Sequence, residues 1–586
     1  MSMDTVSENQ KHIPLLGDDV TGKNALLACR SVCIALAILE LWAGQRYTDP
    51  DGISYLDMSD WLIQHNWHLL INPHWGPLYP LLLGLVTWLF RPSPYWELPL
   101  VHVVNFLIFI GALASFDFLL RQVIRASRSR TAQLKSPSPL HYSTWRWTLL
   151  GYSIFVWSTF VLLRGVRIVN PDLCVEAFVF LDAALVLKLR SNPRQLSTFL
   201  LLGVALGFGY LAKAILFPMA LVFMLVAFLA VGQWRKTSAP LLATFLVFCL
   251  IAAPQIYAVS RMVGRPSFSE SGNLNIVWQI NGRPMFPLYR SEPPGGLKHP
   301  LTLLHTYPNV FSLVNPVEVS TYPLWYDPQY WNAGARPAIS AEAEIRTVRR
   351  NLIEFVADVR MIPFWLLAGV GTIILLIAPD RRAHLQNIAR VWALWLPGVT
   401  GLAAYSLVLV GPGYVAPFIP LVLLGLFAGI LFPVSKDLPR SYRMSLVIVA
   451  GAVAVFAALF TANRLVAPLP IFRVPGGVYY QVAKSLNNDG VSAGQAVGII
   501  GSGWDAMNWA RMGRLHIVAQ IPPEDAGQFW ELANPEARAS VYDAFEKAGA
   551  KAVVTEQAAS LYRFPEWKRL GNTTYSVCLL GSSRSE

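Results

Sequence analysis

The sequence predicts a polytopic α-helical membrane protein with about eleven spans and a soluble α/β domain at its C-terminus. Three observations predict it. The chain is 54% hydrophobic and only 14% charged, whereas soluble globular proteins carry about 25% charged residues. Long apolar runs recur from residue 25 to residue 463 and are continuous rather than alternating, which favours helices over a β-barrel. From residue 465 the pattern changes to short apolar runs separated by capped polar segments, the mark of an α/β domain.

The elements follow in order. Residues 1–24 are polar and read as a cytoplasmic tail. The apolar run Ala25–Gly44 is too long for a signal-peptide core and has no clear small-residue cleavage site, so it reads as an uncleaved signal anchor. The net charge of +12 gathers in basic loops at 121–146, 188–194, 235–236, 381–390 and 436–443. Such loops face the cytoplasm, and the charge therefore speaks for topology rather than for a nucleic-acid partner. Pro77–Phe90 is apolar but about fourteen residues long, short of the roughly twenty that a span needs. It reads as a re-entrant or interfacial helix, which leaves the whole loop 46–98 on the outer face. A last span at about Met444–Asn463 completes a membrane domain over 25–464. The domain 465–586 then lies outside, in the periplasm. Within it, "AVGIIGSG", "LHIVAQI" and "KAVVTE" read as strands, and "WDAMNWARMG" and "NPEARASVYDAFEKAG" as helices. Gly501, Gly503 and Ala506 have dinucleotide-type spacing, but a tight strand-to-helix turn is the plainer reading where nucleotides are scarce. Cys29, Cys33, Cys174, Cys249 and Cys578 show no metal spacing or disulfide framework. No internal repeat is visible, which weighs against a secondary transporter.

Three outer segments carry polar chemistry. The first, "YTDPDGISYLDMSDW", holds Asp49, Asp51, Asp57 and Asp60 directly after a span. Asp51 precedes Gly52, Tyr55 lies one turn on, and His74, Trp75, Pro77 and Tyr79 open the interfacial helix. Together they suggest a carboxylate-and-aromatic pocket at the membrane surface; a solvated loop face is the alternative. The second, "LRGVRIVNPD", brings Arg164 and Arg167 next to Asp172, which enters a span after Pro171. Helix capping alone would also explain "NPD". The third, 260–361, is long and rich in Trp, Tyr, Pro and Asn, and a loop of that length is usually functional or separately folded. Lys213 interrupts the apolar run "LLLGVALGFGYLAKAILFP" near the outer face, where a charge is costly and usually functional, with snorkelling as the alternative. Carboxylates, a lysine and arginines on one side of the membrane suit an anionic, phosphorylated substrate and a hydroxyl to be activated.

Five stretches, "DGISY" (51–55), "HWGPLYPLLLG" (74–84), "NPDLCVEAFVFLDAALVLKLR" (170–190), "GVALGFGYLAKA" (203–214) and "GPGYVAPFIPL" (411–421), resemble motifs of the GT-C superfamily in order and sidedness. These are integral-membrane glycosyltransferases that use polyprenyl-phosphate sugars. The chain is most similar to the branch with the bacterial aminoarabinose transferases of lipid A, the protein O-mannosyltransferases and the core-sugar transferases of rhizobial lipopolysaccharide. Two departures stand out: Ala214 replaces a glycine of the Leu-x-Lys-Gly segment, and Gly413 stands where the Arg-Tyr-x-x-Pro-x-x-Pro element has arginine. Arg261 or Arg265 is available as a substitute.

The resemblance implies a polyprenyl-phosphate sugar donor, lipid between the spans and head in the outer cavity, and transfer to an envelope acceptor on the outer face of a bacterial inner membrane. Asp51 is then expected as general base. Lys213, with Arg164 or Arg167, stabilises the leaving phosphate, and Tyr55, His74, Tyr79 and Tyr414 bind substrate. Asp172 orients the acceptor or, with Asp51, binds a divalent ion, since some relatives use one; Mg²⁺ or Mn²⁺ would suit oxygen ligands. The 260–361 loop is expected to act as a sugar-binding lid. A transporter or flippase of lipid-linked sugars is the alternative from another class, but it would spread charges along a path through the bilayer. A non-catalytic envelope scaffold is the third reading.

Overall fold

The computed structural model describes residues 20–131, 144–285, 297–313, 320–377, 381–430, 477–556 and 564–581, with a few positions between 452 and 463. The helices of ten or more residues are α1 Val20–Gly44, α2 Pro50–Ser59, α3 Leu78–Phe90, α4 Pro94–Thr131, α5 Thr144–Val156, α6 Asp172–Ser191, α7 Leu196–Ala212, α8 Leu216–Val231 and α9 Trp234–Val263. They continue with α10 Ala341–Ala357, α11 Ile362–Ile377, α12 Arg381–Arg390, α13 Trp392–Ser406, α14 Ile419–Gly429, α15 Gly477–Asn488, α16 Gly503–Gly513 and α17 Pro535–Lys547. Among the described residues four helical stretches, Val20–Gly44, Pro94–Ser127, Thr144–Arg167 and Arg235–Val263, are long and apolar enough to cross a membrane; five more apolar helices are shorter. The chain is a membrane protein on this evidence, but the lengths do not by themselves reproduce about eleven full spans. The expected last span at 444–463 falls almost wholly outside the described residues, as does much of the basic loop 121–146.

The first helix begins at Val20, earlier than the expected Ala25. Leu27 and Val32 on α1 and Leu250 on α9 stay exposed, as lipid-facing residues do. The helix α3 has 13 residues, about 20 Å at 1.5 Å per residue, against a hydrocarbon core of about 30 Å. The central apolar core runs through α4, α5, α6, α7, α8, α13 and α14, with Phe109, Phe116, Phe155, Phe180 and Phe418 buried within it.

The C-terminal sheet has the order β1-β2-β4-β3-β5-β7-β6. Its strands are β1 Thr302–Thr306, β2 Asn309–Ser312, β3 Ala496–Ile500, β4 His516–Ile521, β5 Ala552–Thr555, β6 Lys568–Arg569 and β7 Ser576–Leu579. The three expected strands are β3, β4 and β5, which run parallel. The expected capped helix is α17, where the side-chain Oδ1 of Asn534 accepts from the Glu536 N–H at 2.9 Å. The sheet is not confined to 465–586: a hairpin from the long outer loop, β1-β2, adds antiparallel to β4. Alternation along β3 and β5 divides the two faces. Val497, Ile499, Ala552 and Val554 share one buried cluster with Ile53, Tyr55, Leu56, Tyr79, Trp325 and Tyr326. Ile500 and Val553 face a second cluster with Phe529, Val541 and Phe545. The inner face of the sheet and the first outer loop therefore have one common core.

Candidate active site

The "TDPDG" stretch builds the start of α2. Asp49 is the N-cap, its Oδ1 accepting from the Gly52 N–H at 2.8 Å, and Pro50 supplies a preset φ at the first helical position. One residue further on, Asp51 turns the other way, into a cavity of about 780 Å³ walled by helix ends and by residues of the 46–98 and 260–361 segments. Tyr55, His74, Asp172, Lys213 and Tyr414 line the same cavity. The structure thus brings together six of the nine residues singled out in the sequence.

Each has a local reason for its place. Asn170 receives the Asp172 N–H at 3.0 Å and donates its own amide to Asp172 Oδ2 at 3.0 Å, so Asp172 keeps its carboxylate turned to the cavity instead of capping α6. Lys213 breaks the helical run in an extended conformation between α7 and α8. Its Nζ meets Asp172 Oδ1 at 2.5 Å and lies 4.5 Å from the centre of the Tyr414 ring. Tyr414 stacks on Tyr405 at 5.3 Å. Gly76 lets the start of α3 close on this turn: a Cβ there would sit 2.6 Å from the carbonyl oxygens of Leu211 and Ala212. The backbone N–H of His74 donates to Asn72 Oδ1 at 2.8 Å, and its Nδ1 has no hydrogen-bond partner among the described residues.

Electrostatics separate these groups. Burial, then the neighbouring Asp51 charge, push the Asp49 carboxyl up to about 7. Burial raises Asp51 as well, opposed by the Trp325 hydrogen bond and by the Lys213 ammonium. Burial, reinforced by Lys213, takes His74 down to about 3, so its imidazole is neutral.

Three expected residues lie elsewhere. Tyr79 is in the core, edge-on to Tyr55, with its hydroxyl donating to Asn105 Oδ1 at 2.7 Å. Asn105 in turn donates to the carbonyls of Val166 and Ile168 at 3.2 and 2.9 Å, so Tyr79 supports the loop that leads to Asp172. Arg164 takes a left-handed φ of 67° and sends the chain into a turn, Gly165–Arg167, that packs against α1 and α4. Arg164 is exposed and Arg167 lies 4.9 Å over the Tyr47 ring, neither on the cavity wall. The arginine on that wall is Arg265, paired with Glu270 at 2.6 Å; Arg261 does not line it. At Gly413 a Cβ would stand 3.5 Å from Asp172 Oδ2, the oxygen beside the one that Lys213 holds.

Sequence reasoning missed the tryptophan wall. Trp325 donates its indole N–H to Asp51 Oδ1 at 3.0 Å. Its ring centre lies 5.8 Å from Trp75, 6.1 Å from Trp278 and 4.8 Å from Trp504. The aromatic wealth of 260–361 pointed to the segment but not to Trp325, and no signal linked Trp504, on α16, to Asp51. Nor did the sequence show what the remaining acids of the first loop do. Arg511, also on α16, reaches Asp57, Asp60 and Glu97 at 3.0, 2.7 and 2.7 Å, all buried. Thr321 adds two bonds to Asp57.

Asp51 and Asp172, the two carboxylates expected to hold a divalent ion, both line the cavity. The Oδ1 of Asp172 is taken by an ammonium and the Oδ1 of Asp51 by an indole N–H. Among the described residues no three His, Cys, Asp or Glu side chains gather as a metal site.

No protein-family profile matches the chain, and no curated protein sequence matches it. Solved structures do. ArnT from Cupriavidus metallidurans in the apo state aligns with a TM-score of 0.51 at 13% identity, over 95% of this chain and 97% of that one. The same protein bound to undecaprenyl phosphate aligns at 0.50 and 12%, over 96% and 99%. The oligosaccharyltransferase AglB from Archaeoglobus fulgidus, in complex with an inhibitory peptide and a dolichol-phosphate, aligns at 0.47 and 12%, over 92% and 70%. The likeness to ArnT runs through the apolar helices and the C-terminal α/β region alike, and the chain therefore has the fold of ArnT.

Proposed function

We propose that the protein moves a sugar from a polyprenyl-phosphate donor to an acceptor (lipid, glycan or protein) on the outer face of a bacterial inner membrane. The observation that carries the reading is the convergence of Asp51, Asp172 and Lys213 in one cavity at the outer ends of apolar helices, in the fold of a protein crystallised with undecaprenyl phosphate. The chemistry follows from the residues. Asp51 takes the proton of the acceptor hydroxyl as its oxygen bonds to the sugar's anomeric carbon. The bond from that carbon to the phosphate oxygen breaks, and the electron pair stays on the polyprenyl phosphate. Lys213 meets the charge that develops there. Asp172 holds the ammonium in place, and Arg265 is a second cation on the wall. Neutral His74 offers hydrogen bonds rather than charge, and the tryptophan wall suits the apolar face of a sugar. No step draws on a divalent ion.

The test is mass spectrometry of envelope glycolipids and glycoproteins from wild-type, deletion and Asp51→Asn cells. The expected result is one sugar missing from one acceptor in both mutants, with normal membrane insertion of the variant. Purified Asp51→Asn should lose about 10²–10⁴-fold in transfer rate. Lys213→Met should lose about 10²–10³-fold, as for removal of one group that stabilises developing negative charge. A deletion phenotype fully rescued by Asp51→Asn would refute Asp51 as base and return the flippase and scaffold readings.

A further inference from the structure

A second cavity, of about 380 Å³, lies at the C-terminal sheet and shares no lining residue with the first. It sits at the carboxyl ends of β3 and β5. From β3 the chain crosses through α16 to β4 on one side, and from β4 it crosses through α17 to β5 on the other. That is a topological switch point, where open α/β sheets bind ligands. Its volume falls within the range of small-molecule sites, roughly 300–1,000 Å³. Gly501, with φ of 115°, makes the turn from β3 into α16 and forms part of the wall.

The lining decides the class of ligand. A helix start in this position ordinarily attracts phosphate. Here Asp505 occupies the first turn of α16, and Glu556 follows β5 on the same wall, so two carboxylates oppose an anion. Beside them stand Trp509 and Tyr575. Burial, then the Glu556 carboxylate, raise the Tyr575 phenol. Trp509 is 1% exposed, and its indole N–H has no acceptor among the described residues. A buried donor left so is costly, and its satisfaction by a bound group is a physical reason for a ligand here. Acceptors at the rim, a donor within and aromatic faces between are the recognition chemistry of a hydroxyl-rich ring.

We propose that this cavity is a second carbohydrate site, binding one neutral, hydroxyl-rich sugar residue separately from the reacting cavity. The site does not depend on the glycosyl-transfer reading, because sugar binding is measured without turnover. It shares α16 with Trp504, on the wall of the reacting cavity. A sugar bound here is therefore one helix away from the chemistry.

The test is saturation-transfer NMR on the full-length protein in detergent, with neutral hexoses and pentoses, glucuronate and ADP as probes. A neutral sugar should bind. Asp505→Asn, Glu556→Gln and Trp509→Phe should each weaken it at least about tenfold, or about 1.4 kcal/mol, at unchanged melting temperature for the two isosteric carboxamide variants. Asp51→Asn should leave it intact. Competition by lipid-free oligosaccharide released from the envelope assigns the sugar to the acceptor, and binding without that competition assigns it to a free glycan; both support the site. Absence of neutral-sugar binding, preference for ADP or glucuronate, or a signal lost in Asp51→Asn but kept in Glu556→Gln would overturn it.

Discussion

Asp49 and Asp51 stand two positions apart and have separate tasks. Asp49 satisfies the first turn of α2, while Asp51 faces the cavity under two opposing influences, burial that raises it and the Trp325 indole and Lys213 ammonium that lower it. Trp325→Phe removes one of the lowering influences and keeps an aromatic ring. The acid limb of kcat/KM should therefore move to higher pH; a limb that stays or moves down would show that Asp51 is not the titrating base. His74 yields a signed stability prediction. Its folded value of about 3 lies below the ordinary 6.5. Between those values the unfolded chain binds a proton that the folded chain does not, so this group's contribution to stability falls as pH drops from 6.5 toward 3. In His74→Gln the melting temperature should decline less steeply over that window. An unchanged slope would place the imidazole in a far less buried setting.

At the scale of elements, α2 and α16 are tied together at both ends. Near its start α2 carries Asp51, whose partner Trp325 packs on Trp504 of α16; near its end it carries Asp57 and Asp60, which Arg511 of α16 holds together with Glu97. Trp504 and Arg511 are seven residues apart, about two turns, and so share a face. Arg511→Met leaves buried Asp57 without its cation and Asp60 and Glu97 with Arg514 alone, and should cost about 3–5 kcal/mol. Arg511→Lys should not restore it, because a single ammonium cannot reproduce a planar fork that serves three carboxylates. Thermal unfolding of both variants measures this, and a melting temperature near wild type in Arg511→Met would show the cluster to be dispensable.

The whole molecule is less divisible than its sequence suggests. The hairpin 302–312 covers the β4 edge, and the inner face of the sheet packs on the first outer loop. A separately produced 465–586 segment would expose both an unpaired strand edge and an apolar face. Size-exclusion chromatography should show it aggregated, whereas a monodisperse, cooperatively melting product would mean that the shared core adds little. The segment 260–361 is thus partly domain and partly cavity wall, since its Trp325 holds Asp51 while its hairpin completes the sheet.

The sequence by itself determined what depends on local pattern. Continuous apolar runs set the membrane helices, "TDPDG" set a capped helix start, and the runs at 496–500, 516–521 and 552–555 set the parallel strands, because hydrophobic period and capping act within a few residues. It also singled out Asp51, Asp172 and Lys213, which line one cavity in the structure, because a carboxylate pair beside apolar runs and a lone lysine within one stand out. Only the tertiary structure decided which side chains meet. Arg164 and Arg167 pass the same charge test as Lys213, yet a left-handed turn at Arg164 carries them away from the cavity. Tyr79 belongs to a pocket-like motif and is buried on Asn105 instead. Trp325, Trp504 and Arg511 come to the first loop from hundreds of residues away. Their contacts rest on the close packing of three segments around one core, and a pattern read along the chain carries no term for contacts between distant segments.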